Sequence, residues 1–167
     1  MHKKVKFRNR FGKKGFGLIE ILIVGAIIGI GFLAIISFLI FSRGVSFQIT
    51  RNTEATSLAE EGMEVVRKLR DADTGWTANI ATKTSGTNYY PVISSGNWTL
   101  STSNPGLINN LYTRTVVFAD VYRNNGDIGS GTLDPDTKKL TVTVSWQEAG
   151  RSKQVVLTTY ITNFLNN

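Results

Sequence analysis

The sequence predicts an α+β protein in which one long N-terminal helix packs on a small antiparallel β-sheet, the first half of the helix being of membrane-spanning character. Three observations carry this reading. Residues 16–42 form an apolar run in which Glu20 is the only ionisable residue. Residues 43–72 continue at helical spacing, with apolar positions set among charges. Residues 112–167 hold stretches rich in β-branched and aromatic side chains, one of which alternates cleanly with period two.

The first fifteen residues carry Lys3, Lys4, Lys6, Arg8, Arg10, Lys13 and Lys14 and no acid. This basic leader accounts for the formal charge of +7; the rest of the chain has twelve basic and twelve acidic residues. A near-neutral folded part gives no basis for nucleic-acid binding. The apolar run over residues 16–41 would span about 39 Å as a helix, more than the roughly 30 Å of a bilayer core. That length exceeds the apolar core of an ordinary secretory signal, and the run has no Ala-x-Ala exit. The positive-inside rule puts the leader in the cytoplasm and the C-terminal part outside. Gly25 and Gly29 stand four apart, a spacing that lets helices approach closely in lipid. A lone carboxylate in such a run is expensive and is usually paired. Cleavage between Gly15 and Phe16 would expose an α-amino group four residues before Glu20, able to pair with Glu20 of a neighbouring copy.

In residues 43–72 the apolar positions are Leu58, Gly62, Val65 or Val66, and Leu69, with Glu64 and Lys68 placed to pair at i,i+4. The stripe predicts a sheet partner from the same chain. The helix is expected to end near Asp71–Gly75, where Asp, Thr and Gly cluster. Residues 73–111, rich in Thr, Ser, Asn and Gly, read as an irregular connection with short strands around Tyr89–Ile93 and Asn97–Leu100. Trp76, Tyr89, Tyr90 and Trp98 are expected to anchor it. Asn97-Trp98-Thr99 also fits a glycosylation sequon.

Strands are expected at Tyr112–Tyr122, Lys139–Trp146 and Lys153–Phe164. In the second, Leu140, Val142, Val144 and Trp146 face one way, and Thr141, Thr143 and Ser145 the other. Residues 147–152 form the hairpin turn, with Gly150 available for a positive φ. Residues 123–137 offer Asp127, Asp134 and Asp136 as weak calcium candidates; no Glu closes an EF-hand frame, and an Asx- and Gly-rich hairpin loop is the simpler reading.

The chain has no cysteine, and its single histidine, His2, lies in the leader. Thiolate catalysis, Cys-based metal sites, disulfides, and, in a processed chain, His-based catalysis and ligation are excluded. No Asp/Glu constellation has a recognisable catalytic spacing. The expectation is a non-enzyme without cofactor.

The string KKGFGLIEILIV resembles the cleavage and methylation motif of the type IV pilin and type II secretion pseudopilin superfamily. That motif is a basic leader ending in Gly, then a Phe that becomes N-methylated, then Glu as the fifth mature residue within an apolar helix. Gly15, Phe16 and Glu20 match it position by position. The resemblance covers about residues 10–45 strongly, and AEEGMEVVRKLRD and the closing strands are similar in character to minor pilin-like proteins. It implies a pilin-like fold, with a leader (1–15), a transmembrane helix (16–42), an amphipathic continuation (43–72), a connecting segment (73–111) and an antiparallel sheet (112–167). It also implies processing by a prepilin peptidase and contact with membrane lipid, an inner-membrane assembly platform and other pilin subunits. The precursor would sit in the inner membrane and the product in a cell-surface or periplasmic filament. Many major pilins carry a proline in the outer part of the membrane helix; residues 16–73 have none, which points to a minor pilin or pseudopilin. The alternative is an uncut, signal-anchored extracytoplasmic binding or adhesion protein.

Overall fold

The computed structural model describes residues 17–166. Helix α1 (Leu18–Arg70) is followed by a π-helical turn (Trp76–Ile80) and six strands: β1 (Asn88–Ser94), β2 (Asn97–Ser101), β3 (Thr113–Asn124), β4 (Asp127–Ile128), β5 (Thr132–Glu148) and β6 (Arg151–Thr162). Two compact units divide between Phe47 and Gln48.

The first unit is the apolar part of α1. It lacks proline, and its backbone polar groups are satisfied within the helix, the condition for stability in lipid. Ser37 follows the same logic, donating its hydroxyl to the Leu33 carbonyl at 2.9 Å. Every residue of this stretch is exposed. By length and composition α1 is able to cross a membrane.

The second unit is an α+β layer pair. The sheet order is β2-β1-β3-β5-β6, with β4 pairing β3, and all pairings are antiparallel. Strand β5 alternates as expected: Leu140, Val142, Val144 and Trp146 are buried against the helix-facing core, with Val116 and Phe118 of β3 beside them. Each such large side chain, fully buried, is worth about 1.5–3 kcal/mol. The helix contributes Ala55, Ala59, Gly62, Met63, Val65 and Val66. This shifts the expected stripe: Leu58 and Leu69 are only half-buried. Small residues face the sheet because they bring the helix backbone close. At Gly62 an added Cβ would lie 3.0 Å from Val142 Cγ1 and 3.1 Å from Arg114 Cδ. Glu64 pairs with Arg67 at i+3 (3.2 Å), rather than with Lys68 as its spacing suggested.

Helix α1 ends where the Asp/Gly cluster predicts. The π-helical turn then folds back on it, with Ala81 N–H bonding the Trp76 carbonyl at 2.8 Å and the Asn79 amide donating to the Leu69 carbonyl at 3.2 Å. Trp76 and Ile80 are buried by this return. Gly75 makes the return possible, because a Cβ there would overlap the carbonyl oxygens of Leu69 and Arg70.

The sheet is larger than residues 112–167. Strands β1 and β2 join it as a hairpin, with Asn88 and Tyr89 in register with Val117 and Val116. Tyr89 points into the core and meets Phe118 edge-on at 5.8 Å. The region read as a loop at 123–137 is mostly strand: Thr132–Asp134 pair with Val121–Arg123 after a register shift between Asp120 and Val121. The β5–β6 turn is tighter than the six residues expected. Glu148 and Arg151 are already partners, and Ala149 (φ 48°) and Gly150 (φ 74°) form the two-residue bend.

Two stability changes follow. Gly75→Ala forces Cβ into two backbone carbonyls and is expected to cost about 1–3 kcal/mol. Ala149→Asn, at an exposed left-handed position, is expected to stabilise by about 0.5–1 kcal/mol. Thermal or denaturant unfolding of the full chain in detergent reads both, and a neutral Gly75→Ala contradicts the close approach.

Candidate functional site

Gly15 and Phe16 lie outside the described residues. Glu20 is the third residue of α1, and its N–H bonds the Gly17 carbonyl at 3.0 Å. A carboxylate in the first turn is favoured by the positive end of the helix dipole. Its side chain is exposed, the flanking Leu18, Ile19, Ile21 and Leu22 are each more than 60 % exposed, and among the described residues no ion pair involves it. Around Gly25 and Gly29, and also Gly31, an added Cβ would meet nothing within 4 Å. Nothing inside the chain requires glycine there, although each interior helical glycine costs about 0.5–1 kcal/mol relative to alanine.

A second group of side chains fastens the start of the second unit's helix to the sheet. Arg51 Nη1 pairs with Glu148 Oε1 at 2.8 Å, tying α1 to the end of β5. The Tyr112 hydroxyl donates to Glu54 Oε2 at 2.7 Å and lies 3.3 Å from the Arg51 carbonyl. The Tyr112 ring is fully buried and packs edge-on against Trp146 at 5.7 Å. Burial, and then the bond to the Glu54 carboxylate, push the phenol up to about 12. One turn on, the buried Arg114 reaches from β3 under the helix. Its Nη1 donates to the Leu58 carbonyl at 3.0 Å and lies 3.4 Å from Glu61 Oε1, and its guanidinium sits 5.8 Å from the centre of the Trp98 ring. Sequence reasoning missed the polar contacts of Arg51, Glu54, Tyr112, Arg114 and Glu148. Arg51 and Glu148 are 97 positions apart, Tyr112 and Glu54 58 apart, so no local pattern marks them.

The three calcium candidates do not converge. The Asp134 carboxylate accepts from Arg123 Nε at 2.6 Å and from the Asp136 N–H at 3.0 Å, and the Arg123 guanidinium holds its pKa below the usual carboxylate value. Asp136 accepts from the Asn163 amide at 3.1 Å, and Asp127 is an exposed residue of β4. Among the described residues no group of three or more His, Cys, Asp or Glu side chains is placed to hold a metal.

Two open clefts flank the exposed face of α1. One of about 700 Å³ lies between Glu60, Met63, Glu64 and Arg67 of the helix and Leu157 of β6. The other, of about 600 Å³, lies between Val65, Lys68 and Trp98. The first is also lined by Ser57, Glu61, Thr158 and Thr159. No family model, curated protein or solved structure matches the chain.

The Tyr112 network has a pH signature. Because the folded-state pKa is raised from 10.0 to about 12, the neutral phenol favours folding, and its contribution is present below pH 10 and lost as the pH rises towards 12. Tyr112→Phe is expected to cost about 1 kcal/mol near neutral pH, with the gap from the parent closing in alkali. Unfolding curves from neutral pH upwards check this, and a gap that persists in strong alkali contradicts it.

Proposed function

We propose that this chain is a structural subunit of a type IV pilus or type II secretion-like filament, of the minor pilin or pseudopilin kind. The observation that carries the reading is the lone Glu20 carboxylate at the start of an exposed, membrane-length apolar helix, shortly after a basic leader that ends at Gly15 and is followed by Phe16. The precursor sits in the inner membrane with its C-terminal domain outside. A prepilin peptidase cuts after Gly15 and methylates the Phe16 amine. An assembly platform then brings subunits together, and Glu20 of one pairs with the Phe16 amine of its neighbour.

The energetics favour this. In low dielectric the attraction of opposite charges is strong, and removing one partner strands a buried charge at a cost of several kcal/mol. A subunit one step out of axial register suffers that penalty, so the pair sets register while the surrounding Ile, Leu and Phe side chains supply contact area. Gly25, Gly29 and Gly31, with no described residue of their own chain beside an added Cβ, suit close approach of a second helix. The α+β domain is compatible with a surface-decorating role.

Two variants test the reading in cells that carry the processing peptidase. Gly15→Leu is expected to block cleavage, leaving a heavier, leader-bearing band. Glu20→Ala is expected to be cleaved normally but to fall at least tenfold in filament incorporation, in keeping with the loss of a buried partner. Normal incorporation of Glu20→Ala refutes the pairing, and an intact Met1 on the wild-type protein identifies an uncut anchor instead.

A further inference from the structure

We propose that β6 is a homotypic docking edge, through which two copies of this chain join antiparallel across Gln154–Thr162 into one continuous sheet. This goes beyond the filament reading and does not rest on it.

Strand β6 is the last in the sheet order, so along its outer side alternate N–H and C=O groups have no strand partner among the described strands. Sheet proteins ordinarily blunt such an edge with charge, proline, a bulge or shortness. The strand is neither short nor bulged, and its charges, Arg151 and Lys153, stand only at its first end. Gln154–Thr162 reads QVVLTTYIT, without charge or proline. Its pairing with β5 runs from Glu148↔Arg151 to Thr137↔Thr162 with no register shift, and the strand is twelve residues long. The opposite edge, β2, has five. Val156 and Tyr160, on the face of β6 away from the helix, are 47 % and 45 % exposed.

The sequence of the edge selects a second copy as its occupant. Folded on itself about Thr158, the strand is complementary. Val156 falls opposite Tyr160 of the other copy on the outer face, a β-branched–aromatic pair of the kind that stabilises antiparallel ladders. On the helix side, Leu157 falls opposite Thr159 and Val155 opposite Ile161. Charge agrees. Antiparallel pairing sends the basic ends, Arg151 and Lys153, to opposite ends of the ladder. Lys153 then comes to Asn163 of the second copy, which holds Asp136 through its backbone N–H (2.9 Å) and its side-chain amide (3.1 Å). Parallel pairing would stack the basic ends on one another.

Space agrees as well. The helix stretch lies over β3 and β5, since Gly62 abuts Val142 and Arg114. Two such helices would stand about four strand spacings apart, on the order of 19 Å, roughly twice the separation of packed helices. The cleft beside Leu157 lies over the new junction. The dyad also places the Gln48 ends of the two copies at opposite ends of the pair.

The chain lacks cysteine, so single cysteines introduced into the full-length protein report the register directly. Directly opposed residues of an antiparallel pair lie about 4.5–5.5 Å apart at Cα, within disulfide range. In detergent under mild oxidation, Thr158→Cys is expected to form a disulfide-linked dimer. Gln154→Cys and Thr162→Cys are expected to cross-link when mixed and not when alone. Val156→Lys, an exposed and fold-neutral change checked by its melting curve, should cut the Thr158→Cys dimer roughly tenfold. Absence of the Thr158→Cys dimer, or self-linking of Gln154→Cys at equal yield, overturns the proposal. Repeating the cross-link in a Glu20→Ala background separates the two readings, because that change leaves this edge intact.

Discussion

The structure is governed by the need to remove the Leu18–Phe47 stretch from water. Its Leu, Ile, Val and Phe side chains are exposed, and among the described residues none covers them. At roughly 25 cal/mol per Å² of apolar surface, leaving such a helix hydrated is far costlier than the few kcal/mol that stabilise a small domain. By length and composition this stretch is able to cross a membrane. Once that is granted, Glu20 becomes the decisive residue, because a carboxylate tolerated on an isolated helix in water becomes a liability in hydrocarbon unless a cation meets it.

The second unit is organised around a different constraint, the docking of a helix on a sheet at close range. Ala55, Ala59 and Gly62 bring the backbones together, and bulk comes from the sheet side through Val142, Leu140 and Phe118. Polar contacts also cross that interface: Tyr112 reaches Glu54, Arg51 reaches Glu148, and Arg114 finds the Leu58 carbonyl and Glu61, while Arg114 Nε and Trp146 Nε1 are buried without a hydrogen-bond partner. Hydrophobic contact alone would permit the helix to slide or rotate on the sheet. Directional bonds at two successive turns oppose both, which is the role in which buried polar groups contribute more to specificity than to net stability.

Much of this was legible in the chain because it is written in local periodicity. The alternation of Leu140, Val142, Val144 and Trp146 survives intact, as do the helix end before Asp71 and the strand pieces near Tyr89 and Asn97. What escaped depends on the tertiary partner. The expected stripe holds at Gly62, Val65 and Val66, but Ala carries little hydrophobic signal, so Ala55 and Ala59 are absent from it while the half-buried Leu58 and Leu69 stand in it. The π-helical turn at Trp76 exists because Asn79 and Gly75 can close on the end of α1, a contact with no sequence period. Asp134 looked like a cation ligand in composition, yet register places it beside Arg123. Of the candidate site, Glu20 stands out from the sequence alone, whereas the residues that fasten helix to sheet do not, being separated by most of the domain.

The account rests on the Glu20 carboxylate meeting the amino terminus of an adjoining molecule inside the apolar bundle. Solid-state NMR on assembled protein, with the Glu20 side-chain carbon and the N-terminal nitrogen isotopically labelled on separate pools of subunits, measures that distance directly. The account predicts a strong intermolecular coupling, with carboxylate oxygen and nitrogen within about 4 Å. A bundle in which Glu20 shows no coupling to any amino terminus would contradict it.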